Sequence, residues 1–381
     1  MRASTTTIVA VVAATIAIAF HYCTALHTLH HCCCRRRPSS SSNNKIVLVS
    51  MSSSTSSTTN DAIVDNVDPF TKLEYTNWQQ GVNAYNEGFG PLTIQAVPKL
   101  LQAARYPPAI NGYDENDSDL GDTFHLLDVA CGPGQVLSEA ISLSKKTTTT
   151  TTTSKTTTKY SFTGLDFSPN FIQLAQQNIM DLHPDVVVAS KNVHFVQGDA
   201  QDMTQAFDDN TFDCVVCNFG ILHLSKPEQF LQEAYRVLKP NGYISYSVWM
   251  SPPNTQGFEL ILNAVNKCGN PSVELPEGPP FFRFANVEET TQALRSVGFT
   301  NIETHVVDDM KWTNVKSSEQ LFSIFVNGTA RTRELLMKQT NEQLIAIQNE
   351  LKIQFDTLTQ NGKIPLKMPV LISSGRKETA I

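Results

Sequence analysis

The run Asp128-Val129-Ala130-Cys131-Gly132-Pro133-Gly134 sets two glycines directly after a short apolar segment and directly before a segment of helical periodicity. Glycines in such a turn let backbone amides approach a ligand, and the helix start behind them presents unpaired N–H groups. Asp166, in Gly164-Leu165-Asp166-Phe167-Ser168, ends the next apolar segment, where a carboxylate can accept from both hydroxyls of a ribose. Gly134 and Asp166 are 32 positions apart, and 17 once the Lys/Thr-rich stretch 145–159 is set aside, close to the roughly 20 of a nucleoside site. Asp166 as a cap for its own Ser168-Pro169 helix is the alternative. His223 lies just past a later apolar segment, where it suits a proton acceptor or simply packs locally. Arg283, in Gly278-Pro279-Pro280-Phe281-Phe282-Arg283, offers a cation to an acidic acceptor, or sits solvated or ion-paired.

These residues need a scaffold, and the periodicity describes one. Residues 124–130 read as a strand, followed by a helix from Gln135; Tyr160–Phe167 is a second strand, with Ser168 as N-cap and Pro169 at the first position of the next helix. Asn192–Ala200 and Thr211–Leu222 read as strands, Glu228–Lys239 as a helix closed by Pro240-Asn241-Gly242, and Tyr243–Trp249 as the fifth strand. Helices near 257–267 and 286–297, a strand at 301–308, a long helical stretch at 317–358 and an apolar strand at 368–373 follow. Strands alternating with helices make an α/β fold, doubly wound, with helices on both faces of a mostly parallel sheet. Helical spacing of apolar and aromatic residues across 66–105 predicts helices that cap this domain. Residues 147–158, ten Thr with one Ser and one Lys, read as a surface loop.

LLDVACGPG, GLDFSPNFIQLA, FVQGDAQDM, FDCVVCNFGILHL and EAYRVLKPNGYISYSVW, in this order, resemble the class I S-adenosylmethionine-dependent methyltransferases, nearest the small-molecule, quinone-methylase-like group. The resemblance covers about 66–375 and implies a Rossmann-like, seven-stranded sheet whose last strand is antiparallel. It also implies S-adenosyl-L-methionine as cofactor. The turn carrying Asp128, Ala130, Gly132 and Gly134 would hold the amino-acid end of that molecule. Asp166 with Phe167 would hold the ribose, and Asp199-Ala200 the adenine. Asn218-Phe219 would line the channel to the acceptor. Ala130 departs from the pattern, since many members have glycine there. Asp199 as a turn residue and Asn218 as a backbone partner at a strand end stay open. The family's N-terminal helices close over the site, which makes Tyr75, Trp78 and Tyr85 candidate acceptor contacts, with plain core packing as the alternative. The helices at 317–358 would form part of a lid.

Composition narrows the partners. The chain has 29 basic and 36 acidic residues; residues 1–60 hold five of the basic ones and no acid, leaving 24 against 36, or −12, for the rest. An acidic body repels phosphate backbones and anionic lipid, so a small molecule is the expected partner and nucleic acid is not. A mean hydropathy of −0.18 excludes a polytopic membrane protein. Arg2, the 13-residue apolar stretch Ile8–Phe20, Ala17-Ile18-Ala19, and a Ser/Thr/His/Arg-rich stretch to residue 60 read as a two-part leader: a secretory signal followed by a transit-like segment. That arrangement resembles plastid-targeting leaders that first cross an endoplasmic-reticulum membrane, with secretory, mitochondrial or cytosolic fates as alternatives. Four of the eight cysteines fall in the leader, and Cys214 and Cys217 sit in strand-like sequence where residues three apart face opposite ways, so neither a disulfide framework nor a metal site is expected.

A sulfonium already activates its methyl group, so in-line displacement needs alignment and dryness more than a reactive side chain. The leader and the family together point to S-methylation of a methylthio hydroxy acid, toward dimethylsulfoniopropionate, with O-, N- or C-methylation of a phenol, quinol or amine as the alternative. Two rivals stand outside this class. Tyr235 and Lys239 form the Y-x-x-x-K of a nicotinamide-dependent dehydrogenase, and a non-catalytic S-adenosylmethionine-binding protein would keep the site without turnover.

Overall fold

The computed structural model describes residues 67–108, 123–150, 159–186 and 192–379. The leader reading of residues 1–60 and most of the Thr-rich stretch lie outside them. Seven strands form one sheet in the order β3-β2-β1-β4-β5-β9-β6. These are β1 (Thr123–Val129), β2 (Lys159–Asp166), β3 (Val193–Gln197), β4 (Phe212–Asn218), β5 (Leu238–Trp249), β6 (Thr300–Val307) and β9 (Val370–Arg376); a separate pair joins β7 (Lys311–Trp312) to β8 (Leu366–Lys367). The first five run parallel, and β9 runs antiparallel between β5 and β6. This is the doubly wound, Rossmann-like sheet with an antiparallel last strand that the sequence implies.

Helices cover both faces, which is why the central strands read as unbroken apolar runs instead of alternating. Leu126, Leu127, Val129, Val215 and Val216 are wholly buried. The helices in chain order are α1 (Pro69–Gly88), α2 (Gly90–Thr93), α3 (Val97–Ala103), α4 (Gln135–Thr150), α5 (Pro169–Leu182), α6 (Pro227–Val237), α7 (Gln256–Cys268), α8 (Val287–Val297), α9 (Ser318–Gly328), α10 (Arg331–Met337) and α11 (Asn341–Thr359). Ser168 caps α5, its hydroxyl accepting from Phe171 N at 3.2 Å, with Pro169 at the first helical position.

Three local expectations change. Helix α4 continues through the first four threonines to Thr150, so the insertion begins as helix. Helix α6 stops at Val237, and Lys239 to Gly242 form an irregular stretch of β5 where the pairing with β4 slips between Phe212 and Cys214. The 317–358 stretch is three helices, α9 to α11, broken at Thr329-Ala330 and Lys338–Thr340. The last break carries a capping box, Thr340 with Gln343, which the spacing of those two residues announces.

The N-terminal helices and the C-terminal insertion form one wall. Helix α1 packs on α9, and the approach is close: a Cβ on Gly328 would lie 3.2 Å from the Ala84 backbone. The carboxamide of Asn77 donates to Ala330 O at 3.4 Å, tying the α9–α10 junction to α1.

Candidate functional site

At the carboxyl ends of β1 and β4 the backbone takes left-handed conformations at Ala130 (φ 54°), Gly132 (φ 51°), Gly134 (φ 80°) and Phe219 (φ 59°). Two of these are not glycine, and a non-glycine residue there costs about 1–2 kcal/mol, so backbone strain gathers at this edge. Ala130 also fixes its neighbour. A Cβ on Gly220 would lie 2.6 Å from the Ala130 Cβ and 2.7 Å from the Cys217 sulfur.

Beneath this edge lie two buried acids. Asp166 accepts from Gly132 N and from Ser168 N, each at 2.9 Å, so it both ties the glycine turn to β2 and meets the start of its own helix. Burial pushes its carboxyl up to about 6, against which those amide bonds work. Asp128 is 0% exposed, and neither carboxylate oxygen has a hydrogen-bond partner among the described residues. Burial, with the Asp166 charge added, holds it well above the usual carboxylate range. Two buried carboxyls, one wholly without partners, form a region that a cation stabilises.

Above the edge a cavity of about 1080 Å³, open mouth included, is lined by Ala130, Gly132, Asp166, Phe167, Asp199, Ala200, Asn218 and Phe219 on the sheet side. Asp128 and Gly134 stand behind that surface; a Cβ on Gly134 would be 3.2 Å from the Ala175 Cβ, so Gly134 serves the close packing of α4's start on α5. Asp199 shares its carboxylate with Gln201, accepting from Gln201 N at 2.8 Å and Gln201 Nε2 at 3.1 Å. Gln201, a cavity residue the sequence reading missed, in turn accepts from Ser225 Oγ and Lys226 N. Asn218 is a strut: Nδ2 donates to Thr93 O at 3.2 Å and Oδ1 accepts from Ser247 Oγ at 2.7 Å.

The opposite wall is aromatic. Trp78, Tyr85 and Phe89 of α1 and its end join Phe171, Phe258 and Phe281, with Gly328 to Thr332 completing it, and Trp249 at the end of β5 adds an aromatic ring from the sheet side. Phe219 stacks on Trp249 with ring centroids 4.0 Å apart. Burial raises the Tyr85 hydroxyl to about 12. Tyr75 stands one layer back from the cavity, its ring edge-on to Phe167 at 5.5 Å.

His223 is in this cavity, and its partner was invisible in the sequence. Nδ1 lies 3.0 Å from Glu74 Oε2, the oxygen that also accepts from Trp78 Nε1 at 2.9 Å. Glu74 is 1% exposed. A carboxylate oxygen that takes the indole hydrogen is an acceptor, so Nδ1 carries the hydrogen of that contact and Nε2 is left facing no protein partner among the described residues. The Trp78 ring meets the imidazole edge-on at 4.9 Å and holds its plane. Glu74 and Trp78, four apart on α1, are one helical turn from each other, a spacing the sequence displays but which acquires meaning only when His223 arrives from 149 positions away.

Arg283 is placed elsewhere. It pairs with Glu228 and, at 2.8 Å, with Glu289, outside the cavity, which corrects its expected role as an acceptor contact. The cation that does line the cavity is Arg331. Lys239 pairs with Asp213 at 2.8 Å and Tyr235 packs against Phe299, so the Y-x-x-x-K pair also lies outside it. Cys214 and Cys217 are wholly buried in β4, and burial lifts the Cys217 thiol to about 12 and Cys214 well above its ordinary value, the opposite of what a reactive or ligating thiol needs.

Residues 120–264 match a family described as a methyltransferase domain. A demethylmenaquinone methyltransferase of Listeria welshimeri is 36% identical over 104 residues, 27% of this chain and 39% of that protein. Its counterpart in Staphylococcus epidermidis is 34% identical over 121 residues, 31% and 40% of the two. The chain thus spans about two fifths of the length of these curated relatives. Among solved structures, phosphoethanolamine N-methyltransferase 2 of Haemonchus contortus in complex with S-adenosyl-L-methionine aligns with a TM-score of 0.44 at 15% identity, covering 82% of this chain and 61% of that one.

Proposed function

We propose that this chain, whose residues 120–264 match a methyltransferase-domain family, is a class I S-adenosylmethionine-dependent methyltransferase that methylates a small-molecule acceptor which loses a proton, with His223 taking that proton. The observation that carries the reading is the His223 Nδ1 to Glu74 Oε2 contact of 3.0 Å in the cavity wall. A carboxylate that fixes one imidazole nitrogen and leaves the other toward the cavity is the arrangement of a general base. A hydroxyl, phenol or amine acceptor uses such a base.

The donor fits the sheet edge on this structure's own terms. Asp166 at the cavity surface, ionised above about pH 6, with the partnerless carboxyl of Asp128 buried behind it, gives this edge an acidic character that suits a molecule bearing a sulfonium and an ammonium. When bound, S-adenosylmethionine supplies an already activated methyl group. The chain's own residues do the rest. Asp166 accepts from the ribose hydroxyls, Gly132 opens the backbone for the amino-acid end, Asp199 and Ala200 frame the base, and the aromatic wall excludes water and lies against positive charge.

A second reading draws on that same wall. S-methylation of a methylthio hydroxy acid turns a neutral thioether into a sulfonium, which aromatic faces stabilise, and it needs no base. Purified protein with labelled S-adenosylmethionine and a panel of phenols, quinols, amines and thioether acids tests both. Label on an acceptor with an ionisable hydrogen, lost in His223→Gln, supports the first reading; transfer to the thioether acid that survives His223→Gln replaces it with the second. Binding without any transfer leaves a non-catalytic donor-binding protein. The leader is proposed to deliver the chain to a plastid, and a fluorescent fusion of residues 1–60 that stays cytosolic rules this out.

A further inference from the structure

We infer that Arg331 is a specificity-determining residue that binds an anionic group, a carboxylate or its like, on the acceptor; this rests on the methyl-transfer reading of the same cavity. Arg331 is the one lysine or arginine among the residues lining the cavity, whose other charged linings, Asp166 and Asp199, are acids. Arg283, outside the cavity, has carboxylate partners in Glu228 and Glu289. Arg331 has none within ion-pair distance among the described residues. Its one hydrogen bond there runs from Nη1 to Pro279 O at 2.8 Å. Four of the five N–H donors of a guanidinium therefore have no protein acceptor there.

The group is nonetheless held in place. Its guanidinium carbon lies 5.2 Å over the Phe70 ring, and the adjoining Ala330 is wholly buried and tied to Asn77 of α1. A planar fork fixed by a ring beneath and a carbonyl at one corner has already lost the rotamer freedom that binding would otherwise remove. Free donors, fixed orientation and an opening onto the cavity are what bidentate recognition of a carboxylate requires. An anion at that point and a reacting hydrogen at His223 together define the acceptor class: a small acid with an apolar or aromatic body to lie along the rings between them.

The donor also carries a carboxylate, and the two sources separate in experiment. Wild type and the variants Arg331→Met and Arg331→Lys are titrated with S-adenosylhomocysteine by calorimetry. The S-adenosylhomocysteine-loaded proteins are then titrated with phenolic, hydroxy and methylthio carboxylic acids, each beside its primary amide, following quenching of the tryptophans in the wall. The expected result is that at least one acid binds wild type about tenfold or more tighter than its amide. Arg331→Met brings the pair within twofold, Arg331→Lys keeps part of the difference, and S-adenosylhomocysteine affinity changes less than twofold throughout. Wild type that binds S-adenosylhomocysteine but prefers no acid overturns the inference and spares the donor site. A tenfold loss of S-adenosylhomocysteine affinity in Arg331→Met, with acid preference intact, overturns it by giving Arg331 to the donor carboxylate. Wild type that fails to bind S-adenosylhomocysteine overturns the methyl-transfer reading and this inference with it.

Discussion

The two walls of the cavity are built by different means. On the sheet side, function rests on backbone: left-handed residues at 130, 132 and 219 and two buried acids, all within a few positions of a strand end. On the helix side it rests on side chains brought from far apart, Glu74 to His223 across 149 positions and Asn77 to Ala330 across 253. A donor common to many reactions suits a site written into short, local motifs. An acceptor that differs from enzyme to enzyme suits a wall assembled from elements outside them.

That contrast predicts separable losses. His223→Gln is expected to lower kcat by about 10²–10⁴ while the dissociation constant of S-adenosylhomocysteine stays within twofold; a rate near wild type would remove the base from the helix-side wall. Asp166→Asn is expected to do the reverse, weakening S-adenosylhomocysteine about tenfold or more, since charge-assisted hydrogen bonds contribute about 1.5–3 kcal/mol. Calorimetry showing unchanged affinity would take Asp166 out of the donor site.

A pH titration sharpens the sheet side further. Because burial raises Asp166 to about 6 from 3.8, the unliganded fold keeps a proton there that the unfolded chain has lost, so this group costs stability as pH climbs through that window. Ribose hydroxyls prefer the ionised carboxylate, so S-adenosylhomocysteine affinity is expected to rise as pH passes about 6 and to lose that rise in Asp166→Asn. A flat profile in wild type would contradict the assignment. The smallest effect is expected at Arg283→Met, which touches neither wall: kinetic constants within twofold and a stability change below about 1 kcal/mol, because its pairs with Glu228 and Glu289 are partly exposed. A large kinetic loss there would return Arg283 to the acceptor.

The same contrast explains what the sequence could disclose. The strand ends, the Ser168 cap and the acid at Asp166 are legible because each is decided by residues within one turn or one strand. Arg283 and Arg331 look alike as isolated arginines, and only the packing of α10 against Phe70, set against two glutamates around Arg283, separates them. Glu74 reads as a polar position on an amphipathic helix until His223 and Trp78 close on it. Asn218 shows the converse: its place at the end of β4 was evident, but its bonds to Thr93 and Ser247 make it a brace between the capping helices and the sheet.

The position of β9 carries a consequence for how the chain is made. Tyr243–Trp249 of β5 and much of β6 pair with β9, whose residues 370–376 are synthesised well after both. Until those residues leave the ribosome, β5 and β6 each present an open edge, the kind of surface that invites pairing with another chain. The emerging polypeptide therefore holds a parallel half-sheet that can fold early and a gap that only a late strand can close, which makes this interval the stage at which a chaperone has most to protect.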